Sequence, residues 1–125
     1  MSTWEEMRVE CQRAGQSLKS QEHWRSSVSR SYYAAYCGVT GVLVQRGVTF
    51  PQGWGNPRHA DLQRYITNCL LHVSEGKRHQ VRRGVEVLWK ARLDADYHPG
   101  VSFCERDARD ALRVLHSVLR QLEVT

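Results

Sequence analysis

None of the 125 residues lies in a run of about 18 apolar side chains, so a membrane-spanning helix is excluded. The opening residues Met1–Glu6 carry neither a basic region nor an apolar one, so no secretory leader is expected and a cytoplasmic protein is. The four cysteines, Cys11, Cys37, Cys69 and Cys104, form no C-x-x-C pair and have no His at zinc-finger spacing. Each sits in an apolar helical pattern and reads as a core residue in a reducing compartment. A phosphate-binding P-loop, a G-x-G-x-x-G turn, an H-E-x-x-H helix and a G-x-S-x-G elbow are all absent. Any chemistry must therefore come from sparse polar side chains, and neither a metal nor a cofactor is expected. There is no convincing strand, internal repeat or low-complexity tract.

Lysine is also scarce. Of the 18 basic residues only three are Lys, so 15 are Arg, set against 13 acidic residues for a net charge of +5. Arg presents a planar fork suited to phosphate and carboxylate. An Arg-rich basic chain favours anionic partners, with RNA or nucleotide first among them. With 41% hydrophobic and 25% charged residues the composition is that of a globular protein, and 125 residues make one domain.

Apolar periodicity predicts five helices. Trp4, Met7, Cys11, Ala14 and Leu18 step by 3, 4, 3, 4, behind a Thr3/Glu6 capping box. Trp24, Val28, Tyr32, Ala35, Val39 and Val42 form the second stripe. It is widened by Tyr33, Tyr36, Leu43 and Val44, which marks a helix at the centre of a bundle. Gly47 reads as its C′ residue. After a loop over 48–56, Asn56-Pro57 predicts the start of a third helix over 57–71, with Leu62, Ile66 and Leu70 inward. The fourth is expected from about Lys77 to Tyr97, with Val81, Val85, Leu88, Arg92 and Ala95 on its stripe. A Ser102/Glu105 capping box is expected to open the fifth, carrying Ala108, Ala111, Leu115, Val118 and Leu122. The fold class is all-α, a five-helix antiparallel bundle.

Three constellations carry possible chemistry. Arg92 lies on the core-facing stripe, where an isolated charge is costly, so it either pairs with a carboxylate such as Asp96 or lines a wet cleft. With His98 at the helix end it could cleave RNA without metal, Arg stabilising charge on phosphorus and His moving a proton. Lys77, Arg78, Arg82 and Arg83 make a basic ridge that either tracks phosphates or is a solvated face. The row Tyr32, Tyr33 and Tyr36 suits a core or dimer interface, with base stacking as the alternative.

The segment Ser29-Arg30-Ser31-Tyr32-Tyr33-Ala34-Ala35-Tyr36, ending at Arg46-Gly47, resembles the second helix of HEPN domains (higher eukaryotes and prokaryotes nucleotide-binding). Arg92-Leu93-Asp94-Ala95-Asp96-Tyr97-His98-Pro99 resembles the fourth helix of the same family, in its Ala-Asp-Tyr branch. The resemblance covers about Ser20 to Leu122 and implies the helical bundle of HEPN type. It also implies a metal-independent endoribonuclease of a toxin–antitoxin or defence system, with an Arg and a His meeting in the cleft of a symmetric homodimer. Arg92 and His98 stand at the motif positions with five residues between them. Leu93 occupies the place where catalytic relatives carry a polar residue. Other relatives lack the catalytic pair and bind a nucleotidyltransferase or another defence-system subunit, which is the alternative function.

Overall fold

The structure is a computed structural model that describes residues 3–122. Its helices are α1 (Trp4–Ser20), α2 (Trp24–Gln45), α3 (Leu62–Cys69), α4 (Glu75–Tyr97) and α5 (Glu105–Gln121), with 3-10 turns at Pro51–Gly53 and His59–Asp61. The architecture is the expected five-helix bundle of all-α class. Among the described residues no strand occurs, and no helix is long and apolar enough to cross a membrane.

Helix α2 is the axis of the fold and packs against α1, α4 and α5. From Ser27 to Leu43 nearly every position except Arg30 is buried or half-buried. Val28, Tyr32, Ala35, Val39 and Leu43 meet Val81, Val85 and Leu88 of α4 and Leu115, Val118 and Leu119 of α5 in one core cluster. Burial on several sides leaves the polar groups of α2 no water, so most of them bond within the fold, with Thr40 Oγ1 the exception. The Ser27 hydroxyl donates to the Gly15 carbonyl at 2.7 Å, and that of Ser31 donates to the Ser27 carbonyl at 3.0 Å.

Several helix boundaries differ from those expected. The Thr3/Glu6 capping box is present, but the inward stripe of α1 runs through Trp4, Arg8, Cys11 and Gly15, while Met7 is 38% exposed. Arg8 can be buried because it pairs with Glu5 and donates to Gln12 at 2.6 Å. The third helix does not begin at Pro57. The Tyr36 hydroxyl donates to the Pro57 carbonyl at 2.5 Å and accepts from Asn56 Nδ2 at 2.7 Å. That interaction fixes the non-helical connection over 56–58, extended at Arg58, and α3 shortens to eight residues. Helix α4 begins earlier than expected, at Glu75, with Ser74 as N-cap. The cap of α5 is Cys104 and not Ser102: its backbone N–H donates to Asp107 Oδ2 at 2.8 Å. Gly47 has the expected positive φ of 81° beyond the end of α2.

Helices α4 and α5 approach closely at Gly84. A Cβ placed there would stand 2.5 Å from Val118 Cγ2 and 3.4 Å from Val114 Cγ1. A β-branched neighbour in a helix has little freedom to move aside. Gly84→Ala should therefore cost about 1–3 kcal/mol in urea unfolding, despite a gain of about 1 kcal/mol in helix propensity. Gly76→Ala on the same helix meets nothing within 4 Å and should be neutral or stabilising. Equal unfolding midpoints for the two variants would contradict the close approach.

Candidate functional site

The last turns of α4 carry two ion pairs. Arg92 and Asp96 are one turn apart, and Arg92 Nε lies 2.8 Å from Asp96 Oδ2. The Nε atom is buried and its N–H is not aimed well enough at the carboxylate to form a hydrogen bond, so the contact is chiefly Coulombic. Nη2 donates to the Tyr33 hydroxyl at 2.7 Å and, more weakly, to that of Tyr97 at 3.4 Å. The guanidinium carbon sits 5.3 Å from the Tyr33 and Trp89 ring centroids and 5.1 Å from that of Tyr97. Such cation–π contacts are worth roughly 0.5–2 kcal/mol each, depending on solvation. Ser29 donates to Asp96 Oδ2 at 3.1 Å and so ties the same carboxylate to α2. Of the two states open to Arg92, the structure has the carboxylate-paired one.

The second pair joins Asp94 Oδ1 to His98 Nδ1 at 2.8 Å. Both side chains are about half exposed, at 45% and 59%. Asp94 is two residues from Arg92, about 200° around the helix, so the Arg92–Asp96 and Asp94–His98 pairs occupy different faces. His98 is the C-cap residue of α4, and its backbone N–H donates to the Asp94 carbonyl. With Nδ1 committed to Asp94, Nε2 is the nitrogen available for exchange with a ligand.

Two further residues define this end of the molecule. Arg25, at the start of α2, donates through Nη1 to the carbonyls of Asp94, Ala95 and His98 at 2.8, 3.0 and 3.2 Å, and through Nη2 to that of Val101. Its guanidinium also covers the Phe103 ring at 4.7 Å. A cation thus occupies the negative end of the α4 dipole and satisfies carbonyls that a helix end leaves unpaired. His59, in the second 3-10 turn, stacks on Trp89 with centroids 5.0 Å apart and planes at 18°. Its Nδ1 lies 2.5 Å from the Tyr32 hydroxyl. Burial, and then the positive charge of Arg92, hold the His59 imidazole below its ordinary pKa. Burial also raises the Tyr32 phenol, so the Tyr32–His59 contact joins two neutral groups.

Sequence reasoning missed both residues. Arg25 sits one place from the apolar Trp24 with no carboxylate to mark a partner, because its acceptors are backbone carbonyls. His59 was masked by the expectation of continuous helix from Pro57. Their only sequence signal is convergent: Tyr32 and Tyr36 share one face of α2, Trp89 and Arg92 one face of α4.

The other candidates are scattered. Tyr32 and Tyr36 are 1% and 5% exposed and belong to the core, so neither presents surface for an interface or a base. Tyr33, half-buried, is the member of the row that reaches Arg92. In the basic ridge, Arg78 and Arg82 both turn onto Glu75, at 2.7 and 3.1 Å, and Arg82 also contacts Thr67. Lys77 and Arg83 are exposed. The ridge lies in the first turns of α4, about 14–22 Å along the axis from Arg92. Phosphates tracked there would not by themselves reach the Arg92–His98 end.

Among the described residues no group of three or more His, Cys, Asp or Glu side chains could hold a metal ion. Comparison with protein families finds a match between residues 8–124 and the family described as HEPN domain. No curated protein and no solved structure gives a significant match.

Two consequences can be measured. Arg92→Ala removes an ion pair, a hydrogen bond to Tyr33 and three ring contacts, and leaves Asp96 only its Ser29 bond. Because Asp96 retains partial exposure, the loss should be about 2–3 kcal/mol in chemical unfolding, below that of a fully buried pair. A change under about 0.5 kcal/mol, the scale of an ordinary surface substitution, would contradict it. His59 should make folding stability depend on pH. The unfolded chain binds a proton as the pH falls through about 6.5. Folded His59 does not until lower pH, so its contribution is complete above that value and declines below it. His59→Phe should remove this part of the slope, and nuclear magnetic resonance titration of the wild-type His59 imidazole should show the depressed midpoint.

Proposed function

Because the chain belongs to the HEPN domain family, we propose that it acts on RNA as a metal-independent endoribonuclease. The observation that carries this reading is the Asp94–His98 pair on the exposed terminal turn of α4, next to the turn that holds Arg92. A carboxylate that fixes one imidazole nitrogen leaves the other directed outward as a proton acceptor or donor. His98 Nε2 would take the proton of a ribose 2′-hydroxyl, whose oxygen attacks the adjacent phosphorus. Arg92 would balance negative charge on the phosphoryl oxygens, with Asp96 and Tyr33 keeping its guanidinium in register. Since Arg92 and His98 lie on different faces of α4, the reading includes a C2 homodimer in which the helix ends of two copies form one cleft. Lys77, Arg78, Arg82 and Arg83 would add sequence-independent attraction for the RNA backbone. A toxin–antitoxin or defence setting, with a nucleotidyltransferase as partner, belongs to the same proposal, as does action in the cytoplasm.

One observation favours a second reading, a non-catalytic HEPN module that binds such a partner. Arg92 is 12% exposed and already engaged by Asp96, Tyr33 and Tyr97. A guanidinium so occupied is built into the fold first, and phosphate must compete for it.

His98 separates the readings more cleanly than Arg92, because its pair is exposed and contributes little to stability. In an RNA cleavage assay without divalent metal, the wild type should yield 2′,3′-cyclic phosphate ends. His98→Ala should lower the rate by roughly 10²-fold or more, the usual scale for general acid–base catalysis, at unchanged melting temperature. Equal rates for the two proteins, or no cleavage by either, would overturn the nuclease and leave the binding module.

A further inference from the structure

His59 is fixed both by the rings around it and by the chain that leads to it. The Tyr36 hydroxyl holds the Pro57 carbonyl, two residues earlier. The imidazole stacks on Trp89, and its centroid stands 4.6 Å from that of Tyr36 and 6.2 Å from that of Tyr33. Its Nδ1 lies 2.5 Å from the Tyr32 hydroxyl. A phenol O–H is the stronger donor of the two groups and an imidazole nitrogen the stronger acceptor, so the Tyr32 hydroxyl donates and Nδ1 accepts. The imidazole hydrogen then sits on Nε2. Nε2 bonds to no described residue and is not one of the buried unpaired atoms, so this N–H is open to solvent.

The Arg92 guanidinium leans on two of the same rings, its carbon 5.3 Å from the Trp89 and Tyr33 centroids. Its Nη2 is taken by Tyr33 and Tyr97, and its Nε is buried beside Asp96. Nη1 bonds to no described residue and, unlike Nε, is not enclosed. Two N–H donors therefore leave one aromatic cluster toward solvent, one charged and one neutral, and neither has an acceptor among the described residues. Such a pair suits an anion with two free oxygens, as a phosphodiester has. His98 stands on a different face of α4 and does not share this cluster.

We propose that His59 is a second anion-binding residue of the Arg92 site, its Nε2–H donating to a non-bridging oxygen of the RNA phosphodiester that Arg92 Nη1 also holds. This role rests on the reading of Arg92 as a phosphate ligand. Each neighbour of His59 has a part in it. Tyr32 sets the tautomer, Trp89 sets the plane of the ring, and Tyr36 sets where the turn begins. Burial and the charge of Arg92 keep the imidazole neutral, so it donates without placing a second cation beside the guanidinium. As the 2′-oxygen attacks, negative charge grows on the non-bridging oxygens, and a donor already aimed at them binds more strongly than in the ground state.

Two amide substitutions separate this role from a structural one. In His59→Gln the side-chain nitrogen takes the place of Nε2, which keeps the outward donor and gives up the Tyr32 contact. In His59→Asn the side-chain carbonyl takes the place of Nδ1, which keeps an acceptor for Tyr32 and gives up the outward donor. Both lose the stack on Trp89. Each full-length protein is titrated with a 2′-deoxy dinucleotide, which has no attacking hydroxyl and, with a single phosphodiester, gains little from the basic ridge. Binding is followed by nuclear magnetic resonance at the Trp89 indole N–H. His59→Asn should bind roughly tenfold more weakly than the wild type, the scale of one hydrogen bond to a charged group, and His59→Gln within about threefold of it. If one amide fails to fold, His59→Phe, which keeps a ring on Trp89 and lacks the donor, is compared with the wild type by the same criterion as His59→Asn. Equal affinity of wild type and His59→Asn, or tighter binding by His59→Asn than by His59→Gln, would overturn the role of His59 and leave Arg92 as the ligand. A wild type that does not bind the dinucleotide would overturn both.

Discussion

Everything in this fold depends on burying α2. A helix sheathed on several sides can expose almost no polar group to water, so most are assigned a partner, Thr40 Oγ1 being left without one, and each neighbouring helix is assigned a distance. Ser27 and Ser31 bond back to the backbone, the glycines at 15 and 41 let α1 lie against α2, and Gly38 makes room for Leu119 of α5. The tyrosines reach outward through their hydroxyls, Tyr36 to Pro57 and Tyr32 to His59. Those two bonds dictate the path of the chain after α2. The connection over 56–61 is shaped less by its own turn propensities than by where the phenol groups of the central helix end.

The same logic reaches the end of α4. Arg25 rises from the first turn of α2 to the carbonyls of Asp94, Ala95, His98 and Val101, and Arg92 leans from α4 onto Tyr33 of α2. The two arginines bind the helices in opposite directions. One satisfies a helix end; the other buries a charge among rings and one carboxylate. Together they tie the terminal turn of α4 to α2, which the proposed general acid–base chemistry at His98 would require. Catalytic and structural roles for Arg92 are therefore not exclusive, since the contacts that stabilise it also orient it.

Helical period, caps and the width of the apolar stripes were legible in the sequence, and they determined five helices with α2 in the middle. Thr3 and Glu6, Gly47 and the stripe Val81-Val85-Leu88-Arg92-Ala95 all encode local geometry, for which a few neighbouring residues suffice. The placement of Arg92 against the core followed from the same period. Tertiary structure decided what local rules do not reach. It turned α1 so that Arg8 and Gly15 face inward, and it started α3 late because Tyr36 holds the Pro57 carbonyl. It drew Arg78 and Arg82 onto Glu75 and brought Arg25 and His59 into the site. The difference is one of range. Hydrophobic period acts between residues three or four apart, whereas a buried hydroxyl, guanidinium or imidazole takes its partner from whichever helix packs beside it.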